Sequence, residues 1–152
     1  MENKEPLVRE FMTQQPQTIE GKETLEAAQK IMMAFGIRHL PVTTDGSVVG
    51  ILSQRELDMA MQIEVVDSKQ FLVIDACSEK PYIAYPETPL REVVGVMARE
   101  HLGSVIIMEN AKPVGIFTTV DACRTLHDFI DNTLESEGRE NFRQLRSLLG
   151  RR

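Results

Sequence analysis

Ile37-Arg38-His39-Leu40-Pro41-Val42-Thr43-Thr44-Asp45-Gly46-Ser47-Val48-Val49-Gly50-Ile51-Leu52 reads as two short strands around a tight turn. Asp-Gly is a strong signal for a hairpin turn, because such turns need residues that tolerate positive φ, and the flanking runs are rich in β-branched residues. The strands are expected at 37–43 and 48–52. Val49-Gly50-Ile51 returns as Val114-Gly115-Ile116, an offset of 65 residues (114 minus 49). With no gap, the same offset pairs Val8 with Val73, Pro16 with Pro81, Leu25 with Leu90 and Met32 with Met97. It also sets Thr13 against Ser78, Leu40 against Val105, Ser53 against Thr118 and Glu56 against Asp121, each a chemically similar pair. Self-similarity at one fixed period means one structural unit used twice.

Outward from the hairpin, each copy predicts the same elements. A short strand at 17–19 or 82–84 leads to a helix with Thr24 or Thr88 as its N-cap. Apolar residues recur at helical spacing: Leu25, Ala28, Ile31 and Met32 in the first helix, and Leu90, Val93, Val94 and Met97 in the second. The second hairpin is expected at 104–108 and 114–117 around Asn110-Ala111, a weaker turn sequence than Asp45-Gly46. A helix should follow each hairpin from near Ser53 and near Thr118, the first running to about Val66. The order is strand, helix, strand, strand, helix, twice: an α/β (α+β) fold. The segments read as an N-terminal tail (1–7), a first motif (8–66), a connector (67–72), a second motif (73–134) and a C-terminal tail (135–152). No Pro-rich or Gly-rich linker separates the halves, so they should dock on each other. Glu135-Ser136-Glu137-Gly138 breaks the pattern, and 139–149 resumes as an amphipathic helix with Phe142, Leu145, Leu148 and Leu149.

A chain of 152 residues suits one domain, or two small halves that must share a core. The net charge of -6 gives no general attraction for nucleic acid or anionic lipid, so any anion needs a local site. No apolar run approaches the roughly 20 residues of a membrane span. The first residues lack the apolar stretch of a signal peptide, so no membrane association and a cytoplasmic location are expected. Cys77 and Cys123 have neither metal-ligand nor redox-motif spacing and read as buried, reduced thiols. No phosphate-cradling Walker motif, nucleophile elbow or zinc-binding helix is present, and no metal site or catalytic residue is expected: the sequence does not read as an enzyme.

Met12-Thr13-Gln14-Gln15-Pro16-Gln17-Thr18-Ile19, Thr24-Leu25-Glu26-Ala27-Ala28, Gly36-Ile37-Arg38-His39-Leu40-Pro41-Val42 and Asp45-Gly46 through Ser53 stand in an order, spacing and repetition that resemble the CBS domain pair, or Bateman module. The resemblance covers Val8 to about Leu126. It implies two motifs related by a pseudo-twofold axis, packed through their sheets, with clefts that commonly take AMP, ADP, ATP or S-adenosylmethionine. It also implies a homodimer. The function it suggests is a stand-alone regulatory module that senses an adenosyl ligand. A ligand-free dimerisation unit, or one that binds an unidentified protein partner, is the alternative.

The family's nucleotide signature is complete in the second repeat, Gly115-Ile116-Phe117-Thr118-Thr119-Val120-Asp121. There Thr118 would stand at a helix N-terminus, which favours phosphate, and Asp121 could accept hydrogen bonds from ribose hydroxyls. In the first repeat Ser53-Gln54-Arg55-Glu56 has the form of a capping box, so Ser53 and Glu56 serve equally well as a plain helix cap, and Thr118 with Asp121 allows a similar reading. Basic residues favour the first repeat. Arg38 and His39 resemble the family's phosphate-reaching pair and Arg55 lies close by, whereas the second repeat has Gly103, Ser104 and Val120 at those places. Adenine is expected against Ile83, Ala84, Val105 and Ile106, matched in a weaker first-repeat site by Thr18, Ile19, Leu40 and Pro41; all serve equally well as core. The methionines read as core or dimer packing.

Overall fold

The computed structural model describes residues 5–63, 70–78, 80–137 and 147. Contacts divide the chain into two compact units, 1–118 and 119–152. The first contains both hairpins: β3 (His39–Thr44) with β4 (Ser47–Ser53), and β6 (Ser104–Glu109) with β7 (Lys112–Thr118). Both turns place two residues at positive φ, Asp45 and Gly46 at 50° and 79°, Asn110 and Ala111 at 49° and 63°. The weaker turn sequence therefore adopts the same geometry. A register shift follows Val42 in one hairpin and Ile107 in the other, again 65 residues apart.

Two short strands run parallel to the hairpins, β2 (Ile19–Glu20) beside β3 and β5 (Ile83–Ala84) beside β6. Between β2 and β3 lies α1 (Leu25–Phe35), opened by the Thr24 hydroxyl, which accepts the Ala27 N–H at 3.2 Å, and closed by Gly36 in the left-handed region. Its counterpart α4 (Leu90–Glu100) departs from expectation at its start. Pro89 is the N-cap and gives no side-chain bond, while Thr88 accepts the N–H of Tyr85 at 3.0 Å and so closes the preceding turn.

A pair of arms crosses between the repeats. Residues ahead of the first sheet form a 3-10 turn (Val8–Glu10) and β1 (Thr13–Gln14), which pairs with β7 of the second repeat, Thr13 opposite Ile116. The corresponding residues of the second repeat form α3 (Val73–Ala76), followed by Ser78, which bridges to Ile51 of the first. The exchange is reciprocal bond by bond. Val8 N–H reaches Thr88 O at 2.9 Å and Val73 N–H reaches Glu23 O at 2.8 Å. Leu90 N–H reaches Pro6 O at 2.9 Å and Leu25 N–H reaches Phe71 O at 3.0 Å. Each equivalent pair is related by the offset of 65, which is the pseudo-twofold relation in physical form. The sheets, β1-β7-β6-β5 and β2-β3-β4, meet where β4 lies against β7.

The arms explain the docking of the halves. Val73 is wholly buried in the core of the first repeat with Leu25, Met32, Leu40, Leu52 and Leu57, and Val8 is equally buried. Neither core closes without the other repeat's arm, at about 1.5–3 kcal/mol for each large apolar side chain taken from water. The repeated glycines mark the crossings. A Cβ on Gly50 would stand 2.5 Å from the Ser78 carbonyl oxygen, and one on Gly115 would run into the Met12 side chain.

Three further expectations change. α2 (Gln54–Met61) stops at Met61, with Gln62 as its C-cap, short of the end expected near Val66, which itself lies outside the described residues. α5 (Thr119–Glu137), the long helix of the second unit, continues through the break expected at Glu135, because Glu135-Ser136-Glu137 contains nothing that forbids helix. The helix expected at 139–149, apart from Ser147, and residues 67–69 of the connector lie outside the described residues. Cys77 is only half-buried and Cys123, on α5, is exposed.

Candidate functional site: a basic cleft on the first repeat

β3 and β4 pair so that His39 lies opposite Ser53, and the carbonyl of Arg38 accepts the N–H of Gln54 at 2.8 Å. The start of one strand is thereby fixed against the first turn of α2. Residues from two separate stretches of the sequence converge there on a cleft of about 450 Å³, walled by Arg38, His39, Ser53, Gln54, Arg55 and Asp58, with Met59 and Gln62 further along the chain. That volume falls in the usual range for a small-molecule pocket. All eight lining residues belong to the first repeat.

The capping box in this repeat is realised. Glu56 N–H donates to Ser53 Oγ at 3.2 Å, and the Glu56 carboxylate accepts from Ser53 N–H at 2.7 Å and from Ser53 Oγ at 2.9 Å. These bonds use Ser53 and Glu56 as a helix cap. Asp58 accepts from the Gln54 side-chain amide at 2.7 Å. Arg38 and Arg55 are exposed, and neither forms an ion pair with a described residue. Two guanidinium groups, each always charged, therefore face open cleft beside acidic groups that already have partners.

His39 is half-buried. Its Nε2 edge lies against Gly103 of the second repeat, 3.1 Å from where a Cβ would stand, so the small residue opposite leaves room for the ring. Burial holds the imidazole pKa below its ordinary value of 6.5; the Glu56 charge pulls it back up and the Arg38 charge pushes it further down.

In the second repeat, Thr118 ends β7 opposite Ser104, as Ser53 ends β4 opposite His39. Asp121 stands in the first turn of α5, is 8% exposed, and pairs with Arg124 at 3.6 Å. The residues expected around adenine are mostly inside: Val105 and Ile106 are wholly buried, Ala84 is 3% exposed, and Ile83 alone of the four is open, at 40%. Their buried side chains fill the second core, so a ligand reaching this sheet meets Ile83 and backbone. In the first repeat Ile19, Leu40 and Pro41 are buried likewise, and Thr18 is exposed. Gly115 gives its space to Met12, so the first residue of the signature is explained by the arm crossing. Sequence reasoning missed three further polar residues of the cleft, Gln54, Asp58 and Gln62; their spacing along one face of α2 was the available signal.

Residues 8–62 match the sequence profile of the CBS domain, and residues 73–128 match it again. The chain belongs to the CBS domain family. The chain is similar to the inosine-5'-monophosphate dehydrogenase of Korarchaeum cryptofilum, 28% identical over 124 residues, 80% of this chain and 24% of that protein. The chain spans about a quarter of the length of that curated relative. Among solved structures, a candidate acetoin utilization protein (AcuB) of Vibrio cholerae is 25% identical, with a TM-score of 0.76 over 88% of this chain and 98% of that one. The CBS domain pair of protein MJ0100, in complex with 5'-methylthioadenosine and S-adenosyl-L-methionine, shares 21% identity and a TM-score of 0.74 over 82% of this chain and 98% of that one. CBSX2 in complex with AMP shares 19% and a TM-score of 0.68, over 81% and 97%. At these identities the last two show that this CBS pair has the same fold. Among the described residues no helix is long and apolar enough to cross a membrane, and no group of three His, Cys, Asp or Glu side chains could hold a metal ion.

Proposed function

We propose that this CBS pair is a cytoplasmic regulatory module that binds an adenine nucleotide or related adenosyl ligand, such as AMP, ADP, ATP or S-adenosylmethionine, and answers by a change of shape or of homodimer packing. One observation carries the reading: Arg38 and Arg55 converge, without ion-pair partners among the described residues, on a cleft of small-molecule size. Each charge-assisted contact to a phosphate there is worth roughly 1.5–3 kcal/mol. That the similar folds of MJ0100 and CBSX2 hold adenosyl compounds supports the class of ligand.

The second repeat enters through its signature, with Asp121 as an acceptor for ribose hydroxyls and Thr118 beside a phosphate. Ile83 is the apolar side chain open to a base. Exposed Met33 and Phe35 on α1, and Met59 and Ile63 on and after α2, support a second copy as the homodimer partner. The reading assigns no catalytic step to this chain, and the activity of the longer dehydrogenase is not carried to it.

Thermal denaturation with each nucleotide, S-adenosylmethionine and adenosine tests the proposal. A ligand at about a hundred times its Kd should stabilise the native state by about 2.7 kcal/mol and raise Tm accordingly. Asp121→Ala should reduce that shift. Failure of every compound to move Tm at roughly millimolar concentration, where a Kd below about 1 mM would be felt, favours the ligand-free dimerisation or protein-interaction module.

A further inference from the structure

His39 stands between two surfaces. On one side it walls the cleft with Arg38 and Arg55; on the other its ring rests against Gly103. The charged groups around it are Arg38, the residue just before β3, and Glu56 on α2, with Arg55 and Asp58 further along the cleft wall; Gly103, the contact from the second repeat, brings none. Both carboxylates are already bonded, Glu56 to Ser53 and Asp58 to Gln54. Loss of water, aided by the Arg38 charge and opposed by that of Glu56, holds the imidazole pKa below its ordinary value and leaves the ring neutral at neutral pH. A bound anion reverses the balance, because it places negative charge beside a ring that shares the wall with the groups holding it.

We propose that the first-repeat cleft takes up its anion together with a proton, and that His39 carries the proton. The inference rests on the cleft being the anion site of the proposed function. The bond formed is Nδ1–H or Nε2–H on the imidazole, and the proton comes from solvent. Affinity is greatest below the pKa of the free imidazole, where His39 is charged before the anion arrives. It falls as pH rises between the free and the bound pKa, by at most about tenfold per pH unit for one proton, and levels off above the bound pKa.

Sulfate is the appropriate probe, since its charge is constant across the titration range of histidine, whereas the phosphate of AMP titrates near it. The measurement is an NMR titration of the wild-type protein from about pH 5.5 to about pH 8.5, the range in which imidazole charge changes, with and without sulfate. The His39 ring signal is identified by its loss in His39→Gln. The expected result is an upward move of the His39 midpoint in sulfate, and a sulfate affinity at least about threefold weaker at pH 8 than at pH 6, flattened in His39→Gln. Sulfate that shifts the Arg38 and Arg55 side-chain signals while leaving the His39 midpoint in place overturns the inference and leaves the anion site standing. So does a pH dependence that survives in His39→Gln. If neither sulfate nor AMP perturbs Arg38 or Arg55 at any pH, the anion-site reading fails and the inference falls with it.

Discussion

In the first repeat the hairpin turn is Asp45-Gly46, α1 ends on Gly36 and starts on Thr24; the equivalent positions of the second carry Asn110-Ala111, His101 and Pro89. Gly36 and His101 both adopt the left-handed conformation, at φ 62° and 56°. The first repeat uses glycine and a capping hydroxyl at these places, and the second reaches the same backbones with Ala111 at positive φ, His101 in place of a glycine, and Pro89, which gives no side-chain cap. What both share is the crossing of the arms, with buried Val8 and Val73 and the glycines beneath the crossing strands. Long-range exchange therefore fixes the fold, and local signals at turns and caps are dispensable. The groups that line the cleft diverge further still. Arg38, His39 and Arg55 face Gly103, Ser104 and Val120 across the offset, so a symmetric scaffold presents its cleft charge on one side.

The crossings offer the largest effect. Gly50→Ala drives a Cβ to within 2.5 Å of a backbone carbonyl that the Ile51–Ser78 bridge holds in place, and should destabilise by about 3 kcal/mol or more in denaturant unfolding. Gly115→Ala meets the flexible Met12 side chain, so its cost should be about 1–2 kcal/mol and should be largely recovered by adding Met12→Ala. Equal costs at the two glycines would mean that the crossings are not built as described.

Ser53→Ala removes the cap of α2 and should cost about 1 kcal/mol, while Thr88→Ala, at a residue that caps no helix, should leave α4 intact. Ala111→Gly should stabilise by about 0.5–1 kcal/mol, because glycine adopts positive φ without penalty; Gly46→Ala should do the reverse. A smaller effect attaches to pH. The folded pKa of His39 lies below 6.5, so the unfolded chain binds the proton more readily. Stability is then full above about pH 6.5 and declines as pH falls from there through the folded pKa, a decline that His39→Gln should remove from a series of unfolding curves.

The hairpins, the helices and the repeat were legible because period and turn chemistry are local. The arms were not, although their residues, Val8 with Val73 and Thr13 with Ser78, were visible as matched pairs. Which sheet a short strand joins depends on distant partners that carry no signal within its own window. Thr88 misled for a related reason: the hydroxyl lies one residue from the offset position of Thr24, and proline takes the cap. At the site, Arg38, His39, Ser53 and Arg55 were legible and the structure brings them together. Val105 and Ile106 fitted an adenine slot or a core equally well by residue type, and their complete burial places them in the core.

Under the proposed function, charge on the first repeat holds the anionic end of the ligand. Calorimetry of AMP and adenosine binding to wild type, Arg38→Ala and Arg55→Ala tests it most directly. Each substitution should weaken AMP by about 10–100-fold and adenosine by less than about twofold, as loss of one charge-assisted phosphate contact requires. Equal losses for AMP and adenosine, or no loss for either, would contradict the account.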